Sequence, residues 1–191
     1  RDFPEYVLTG AQELWEPRGP AGALGRFYHP AVIHRDARGV AQGPDGIMAA
    51  RMPELAGLTD RKTLGEDVIW SGSDRRGFLG SHRAVILGRH DADGPWGAAT
   101  GRRLRFRVLA DRFAKNNKIS DEWQVVDTAA VLAQIGQDVR DHARNRLEQD
   151  DGDEPVFCPE VDIIGPYTGR GNDATWGLAF ETMLTGLMAG E

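Results

Sequence analysis

Three side chains with useful chemistry stand on segments that read as strands. They are Asp127, at the end of "KISDEWQVVD", His82, within "GFLGSHRAVIL", and Arg112, within "RFRVLADRF". Alternate residues of a strand share a face, so Trp123, Val125 and Asp127 are expected to point the same way. If that face lines a cavity, Asp127 lies among apolar walls. Burial then raises its pKa toward neutrality, which suits taking a proton from a carbon next to a carbonyl. Asp127 also stands just before "TAAVLAQIG", where a carboxylate can simply cap a helix. Both readings stay open on the sequence. Asp127 turned into a closed pocket within reach of His82, Arg112 or His34 favours catalysis. Asp127 facing solvent and bonded only to the next helical turn removes that role.

The other candidates are read against plainer alternatives. His82 shares a face with Phe78, Gly80, Ala84 and Ile86, so its imidazole sits on an apolar side. It can orient or exchange a proton with a substrate oxygen, or serve as a core histidine bonded to backbone. His34 follows Val32 on one face of "AVIHRD" and is placed at the mouth of a pocket. His29, beside Pro30, reads as a turn residue. Arg112 faces inward with Phe106, Val108 and Ala110, and a buried arginine needs a carboxylate, which Asp127 or Glu122 can supply. Arg103, Arg105 and Arg107 alternate on the opposite, solvated face. The histidines, acids and the single Cys158 lack the spacing of a metal site, so no metal and no cofactor are expected. No Gly-x-Ser-x-Gly elbow is present, and "GPAGALG" does not follow a strand as a phosphate loop does.

These residues must be positioned by a modest set of elements. Amphipathic helices are expected over 4–16 and 43–55, the second with Ile47, Met48 and Met52 on one face and an end near Pro53. A short helix or turn over 21–29 precedes a strand over 31–36. Strands are expected over 62–74 and 77–89, and a hairpin over 102–127 turns at Asn116-Asn117, residues that tolerate positive φ. A short helix closes with Gly136 as its stop. Helices followed by antiparallel strands predict an α+β fold: a curved, mostly antiparallel sheet forming a cone, with N-terminal helices on its concave face.

With 191 residues and 40% hydrophobic content, the chain can bury a real core. A net charge of −6 argues against binding nucleic acid or anionic membrane surfaces. One cysteine cannot form an internal disulfide, so the cytoplasm is the default location. No apolar run reaches the roughly 20 residues of a membrane span, and "RDFPEYVLTG" lacks the apolar stretch of a secretory signal. Residues 1–137 are read as one domain and 138–173 as a charged helix end and acidic linker. Residues 174–191 are read as an amphipathic helix that opens a second, similar domain.

The order "FYHPAVIHRDARGVAQGPDGI", "GSHRA", "ATGRRLRFRVLADRF", "KISDEWQVVDTAAVLAQIG" resembles the SnoaL-like polyketide cyclases of the nuclear transport factor 2-like superfamily. The similarity covers about residues 5–137. It carries a Trp-x-x-x-Asp strand end, here Trp123 to Asp127, and a Leu-x-Gln-Leu-Gly-type helix, here Leu132 to Gly136 with Ile135 in the second leucine position. The resemblance implies a hydrophobic carbonyl substrate, an aldol-type ring closure or isomerisation, and no cofactor. It assigns the general acid/base to Asp127; beside it, His82 is expected to assist, and His34, Trp70, Arg112 and Trp123 are expected to contact the substrate. It also implies a homodimer or a tandem of such domains. A non-catalytic ligand-binding or dimerisation module of the same fold is the competing expectation.

Overall fold

The computed structural model describes residues 2–16, 24–149 and 174–189. The chain divides into two compact units, Arg1–Cys158 and Pro159–Glu191. The first opens with helix α1 (Phe3–Trp15). Asp2 starts it by accepting a hydrogen bond from the Glu5 amide at 2.9 Å, and Pro4 sits in the first turn, where its missing N–H costs nothing. Phe3, Val7, Ala11, Leu14 and Trp15 recur at helical spacing and are buried. A single turn, α2 (Leu24–Phe27), leads into β1 (Tyr28–Asp36), β2 (Gly39–Gln42) and α3 (Gly43–Gly57).

Four long strands follow: β3 (Lys62–Ser73), β4 (Gly77–Arg89), β5 (Arg103–Lys115) and β6 (Lys118–Val126). The six strands form one open sheet in the order β2-β1-β6-β5-β4-β3. All pairs are antiparallel except β1 with β6, which run parallel. The α+β architecture is therefore the expected one. Hairpin β2 and the parallel pair are additions that local spacing does not reveal, because β1 and β6 meet only after the whole sheet has been traversed. The β5–β6 turn forms at Asn116 and Asn117, whose φ angles are +52° and +58°.

Strand β5 alternates strictly. Leu104, Phe106, Val108, Ala110, Arg112 and Ala114 are buried, while Arg103, Arg105 and Arg107 are exposed as expected. Two apolar clusters cover the inner face. One joins α1, α2 and α3 to Ala114 and Ile119. The other joins Phe106, Val108, Ile86 and Trp96 to helix α4 (Thr128–Ile135). Along β5, Arg112 and Ala110 lie between these clusters, so the sheet leaves a polar belt between two apolar ones.

Helix α3 departs from expectation in its buried face and its end. Ile47, Arg51 and Glu54 are the buried side chains, whereas Met52 is 47% exposed. The recurrence of Ile47, Arg51, Glu54 and Leu58 at steps of four, three and four holds this stripe inward. Packing of the stripe carries the helix past Pro53 to Gly57 despite the hydrogen bond proline removes. Helix α5 (Val139–Gln149) is charged and solvated, as expected. Helix α6 (Ala174–Ala189) belongs to the second unit. The linker beyond Gln149 and Cys158 lie outside the described residues. Among these, no helix is long and apolar enough to cross a membrane.

Candidate functional site

Strand register assembles the site. Trp70 pairs with Gly80, Gly80 with Arg112, Arg112 with Glu122, Glu122 with His34, and His34 with Ala41. These residues form one transverse row across all six strands. Within it, Arg112, Glu122 and His34 are 3%, 1% and 1% exposed. Gly80 is needed there, because a Cβ would stand 2.4 Å from Cε1 of Phe3. The bare backbone lets Phe3 lie on the sheet, stacked on Phe78 at 5.1 Å and beside Trp70 at 5.9 Å. Trp70 is half-exposed and forms the apolar end of the row.

Glu122 is the hub. Its Oε2 accepts from the Tyr28 hydroxyl at 2.6 Å and from Arg112 Nε at 3.0 Å, and its Oε1 lies 3.5 Å from His34 Nδ1. On the other side of the ring, His34 Nε2 lies 3.5 Å from Asp36 Oδ2, and Arg38 donates to that carboxylate. Burial alone would raise the pKa of Glu122. Arg112, His34 and Tyr28 outweigh it and hold the carboxyl well below the usual range. Burial would depress His34, but Asp36 and Glu122 on its two sides outweigh it and raise its pKa. His34 is thus an imidazole whose proton-bearing form is favoured by two fixed anions.

The adjacent row holds His82, opposite Ala110, and Gln124 beyond it. His82 Nδ1 lies 3.2 Å from the Ala110 carbonyl. Burial, then the charge of Arg112, lower its pKa to about 3, so the ring is neutral. In that form Nδ1–H donates to Ala110 and Nε2 is left as an acceptor. Gln124 Oε1 accepts from Arg51 Nη1, and Arg51 lies 4.7 Å above the Trp15 ring. Arg61 pairs with Glu54 beside it.

Not every candidate joins this belt. Arg112, Glu122 and His34 come together, and His82 is next to them. Trp123, Val125 and Asp127 lie on the opposite face. Val125 is 65% exposed, and the Trp123 ring is covered by the Arg35 guanidinium at 5.0 Å, itself paired with Asp121 at 2.9 Å. Asp127 is exposed; its carboxylate accepts from the Ala130 amide at 3.0 Å and caps α4. The expected inward face of β6 is therefore corrected by one residue. Arg112 is buried and must meet a carboxylate on its own face, and past the register shift that follows Ile119 the even-numbered residues Glu122 and Gln124 share it. That constraint selects Glu122 and turns Trp123 and Asp127 outward. Tyr28, Arg51, Glu54, Arg61 and Gln124 were not singled out by sequence reasoning. The helical recurrence of Arg51 and Glu54 with Ile47 was the available signal for two of them. His29 is a turn residue as read, its Nδ1 accepting from the Ala31 amide at 3.1 Å.

An open hollow of about 330 Å³ lies apart from the belt, lined by Tyr6, Arg26, Phe27 and Asn117. Tyr6 spans it by donating to the Asn117 carbonyl at 3.0 Å. Among the described residues, no group of three or more His, Cys, Asp or Glu side chains is arranged to hold a metal ion.

With this geometry in place, comparison with known proteins gives the following. A family model described as SnoaL-like polyketide cyclase matches residues 5–135. Comparison with curated proteins gives no match. Among solved structures, a protein described as a SnoaL-like polyketide cyclase from Jannaschia sp. CCS1 is 16% identical, with a TM-score of 0.61 over 69% of this chain and 90% of that one. IdmH from Streptomyces antibioticus, described as a polyketide cyclase, is 19% identical, with a TM-score of 0.58 over 71% and 99%. AclR from Streptomyces galilaeus, described as a hydroxylase, is 14% identical, with a TM-score of 0.57 over 71% and 98%. At such identities these likenesses concern the fold alone.

Proposed function

The chain belongs to the SnoaL-like polyketide cyclase family, and from that premise we propose that it is a small-molecule cyclase or isomerase whose proton transfers run through His34. The observation that carries this reading is the position of His34 between Glu122 and Asp36, 3.5 Å from each, in the buried row with Arg112. In its neutral form, the minor one beside two anions, His34 takes a proton from the carbon next to a substrate carbonyl. The enolate formed is stabilised by the neighbouring positive charge of Arg112, while the two carboxylates stabilise the new imidazolium. In an aldol-type closure the enolate carbon attacks a second carbonyl of the same molecule. The alkoxide formed then takes the proton back from His34. In an isomerisation the proton returns to another carbon. His82 offers Nε2 as an acceptor for a substrate hydroxyl, and Phe3, Phe78 and Trp70 supply an apolar wall for a ring system.

A binding module without turnover is the second reading. It is favoured by the dense packing of the row, where the charged side chains are at most 3% exposed. The two separate in one experiment with a naphthyl 3-oxo ester in D₂O. Wild type should accelerate deuterium incorporation next to the ketone, followed by proton NMR, and His34→Gln should slow it by about 10²–10⁴-fold. Calorimetric binding of the ester by wild type with no accelerated exchange would leave only the binding module.

A further inference from the structure

A second charged group occupies the space between α1, α3 and β3, and several of its donors are unmet. Arg51 and Arg61 are 1% and 3% exposed, and one carboxylate, Glu54 at 2% exposed, serves both. Arg61 Nη1 donates to Glu54 Oε1, while Arg51 Nη2 stands 3.6 Å from the same oxygen, beyond hydrogen-bond reach. Arg51 Nη1 is taken by Gln124, a neutral partner. Arg51 Nε and Nη2, Arg61 Nε and Thr63 Oγ1 are buried without a hydrogen-bond partner. Glu16 accepts from the Thr63 amide at 3.0 Å, and its charge acts on Arg61, although among the described residues it makes no ion pair with either arginine. Burial, with the charge of Arg51, holds the pKa of Arg61 below its ordinary value even though Glu54 and Glu16 oppose this.

A buried guanidinium lacking its share of negative charge is costly, and so is each unmet N–H. Among the described residues, Glu54 is the one carboxylate that pairs with either arginine, and several of their N–H groups stay open. Open guanidinium N–H groups suit a planar acceptor with one negative charge. Gln124 links Arg51 to the row of His82 and, through its neighbour Glu122, to His34. The open donors thus belong to the same interior as the proton-transfer groups.

We propose that Arg51, Arg61 and Thr63 bind a carboxylate of the substrate, so that the compound taken by this chain is an acidic, ring-bearing carbonyl compound. This rests on the reading of the inner belt as a substrate site. Binding satisfies the open donors: the carboxylate accepts from Arg51 and Arg61 and from the Thr63 hydroxyl, and the apolar part extends toward Phe3 and Trp70.

The test is calorimetric titration of the full chain with 2-naphthoate, its methyl ester and 2-naphthyl phosphate. The acid should bind at least tenfold tighter than the ester and tighter than the phosphate. Arg61→Gln should abolish the preference for the acid, and Thr63→Val should reduce it about threefold. Thr63→Val keeps the volume of the side chain, so it decides the matter if Arg61→Gln fails to fold. Equal binding of acid and ester overturns the proposal, as does an undiminished preference in folded Thr63→Val. Tighter binding of the phosphate overturns the assignment of a carboxylate. The neutral ester of the exchange experiment does not need this subsite. Exchange without acid preference therefore removes only the carboxylate site, and acid preference without exchange removes only the catalytic reading.

Discussion

Glu122→Gln should lower the melting temperature by roughly 6–20 °C, the equivalent of about 3–5 kcal/mol in a chain of this size. The residue is fully buried and holds Arg112, Tyr28 and His34 at once. An amide keeps the shape but removes the charge. Arg112 then stays buried without its counter-ion, and an uncompensated interior charge is among the costliest single changes available. The double replacement Arg112→Met with Glu122→Leu should behave differently. Removing both charges and filling the space apolarly is often neutral for stability. It should give a folded protein with no exchange activity, which separates holding the fold from doing chemistry. Differential scanning calorimetry checks both, and a Glu122→Gln variant within about 1 kcal/mol of wild type would contradict the hub role.

Stability should peak near neutral pH and fall steeply in acid. His82 has a folded pKa lowered to about 3, against roughly 6.5 unfolded. Below about pH 6.5 the unfolded chain takes a proton that the folded chain refuses, so stability drains away as pH falls toward 3, on the order of 4 kcal/mol over that span. Glu122, Asp36 and Glu54 all have lowered pKa values. Their contributions are present above roughly pH 4.5 and lost below it, which steepens the decline. His34 works in the other direction. Its raised pKa gives a contribution that is complete below about pH 6.5 and lost as pH rises through the folded value. Urea midpoints at pH 8, 6.5, 5.5 and 4.5 should therefore trace a maximum, and His82→Gln should flatten the limb between 6.5 and 4.5. A midpoint unchanged from pH 7 to pH 5 would contradict the neutral, buried state of His82.

Much of this fold is legible in the sequence because its local signals agree with its packing. The Asn116-Asn117 turn, the alternation of β5 and the cap and stop of α4 each follow from residue types at fixed spacing. The inner face of β4, with Phe78, Gly80, His82, Ala84 and Ile86, follows from simple alternation, although Leu79, Val85 and Leu87 make its other face apolar too. Strand β6 misleads because its alternation is chemically ambiguous. Trp123 and Val125 look like an inward apolar pair, while Glu122 and Gln124 look like a solvated one. The buried Arg112 on the next strand reverses the choice, and that information is lost to anyone reading β6 alone. The charged stripe of α3 is hidden in a similar way. Arg51 and Glu54 count as surface residues until their partners, Arg61 and Gln124, arrive from other elements. The proposed site was partly visible, as His34, His82 and Arg112. Its hub was visible only as an optional partner.

The central claim is that the inner row, with His34 at its working end, moves the proton, and that Asp127 caps a helix. Deuterium exchange into the naphthyl 3-oxo ester by Asp127→Asn and by His34→Gln, measured side by side on folded protein, tests it most directly. Asparagine keeps the capping acceptor, so Asp127→Asn should exchange within about twofold of wild type, while His34→Gln falls by about 10²-fold or more. The reverse order, with Asp127→Asn inactive and His34→Gln near the wild-type rate, would contradict the account.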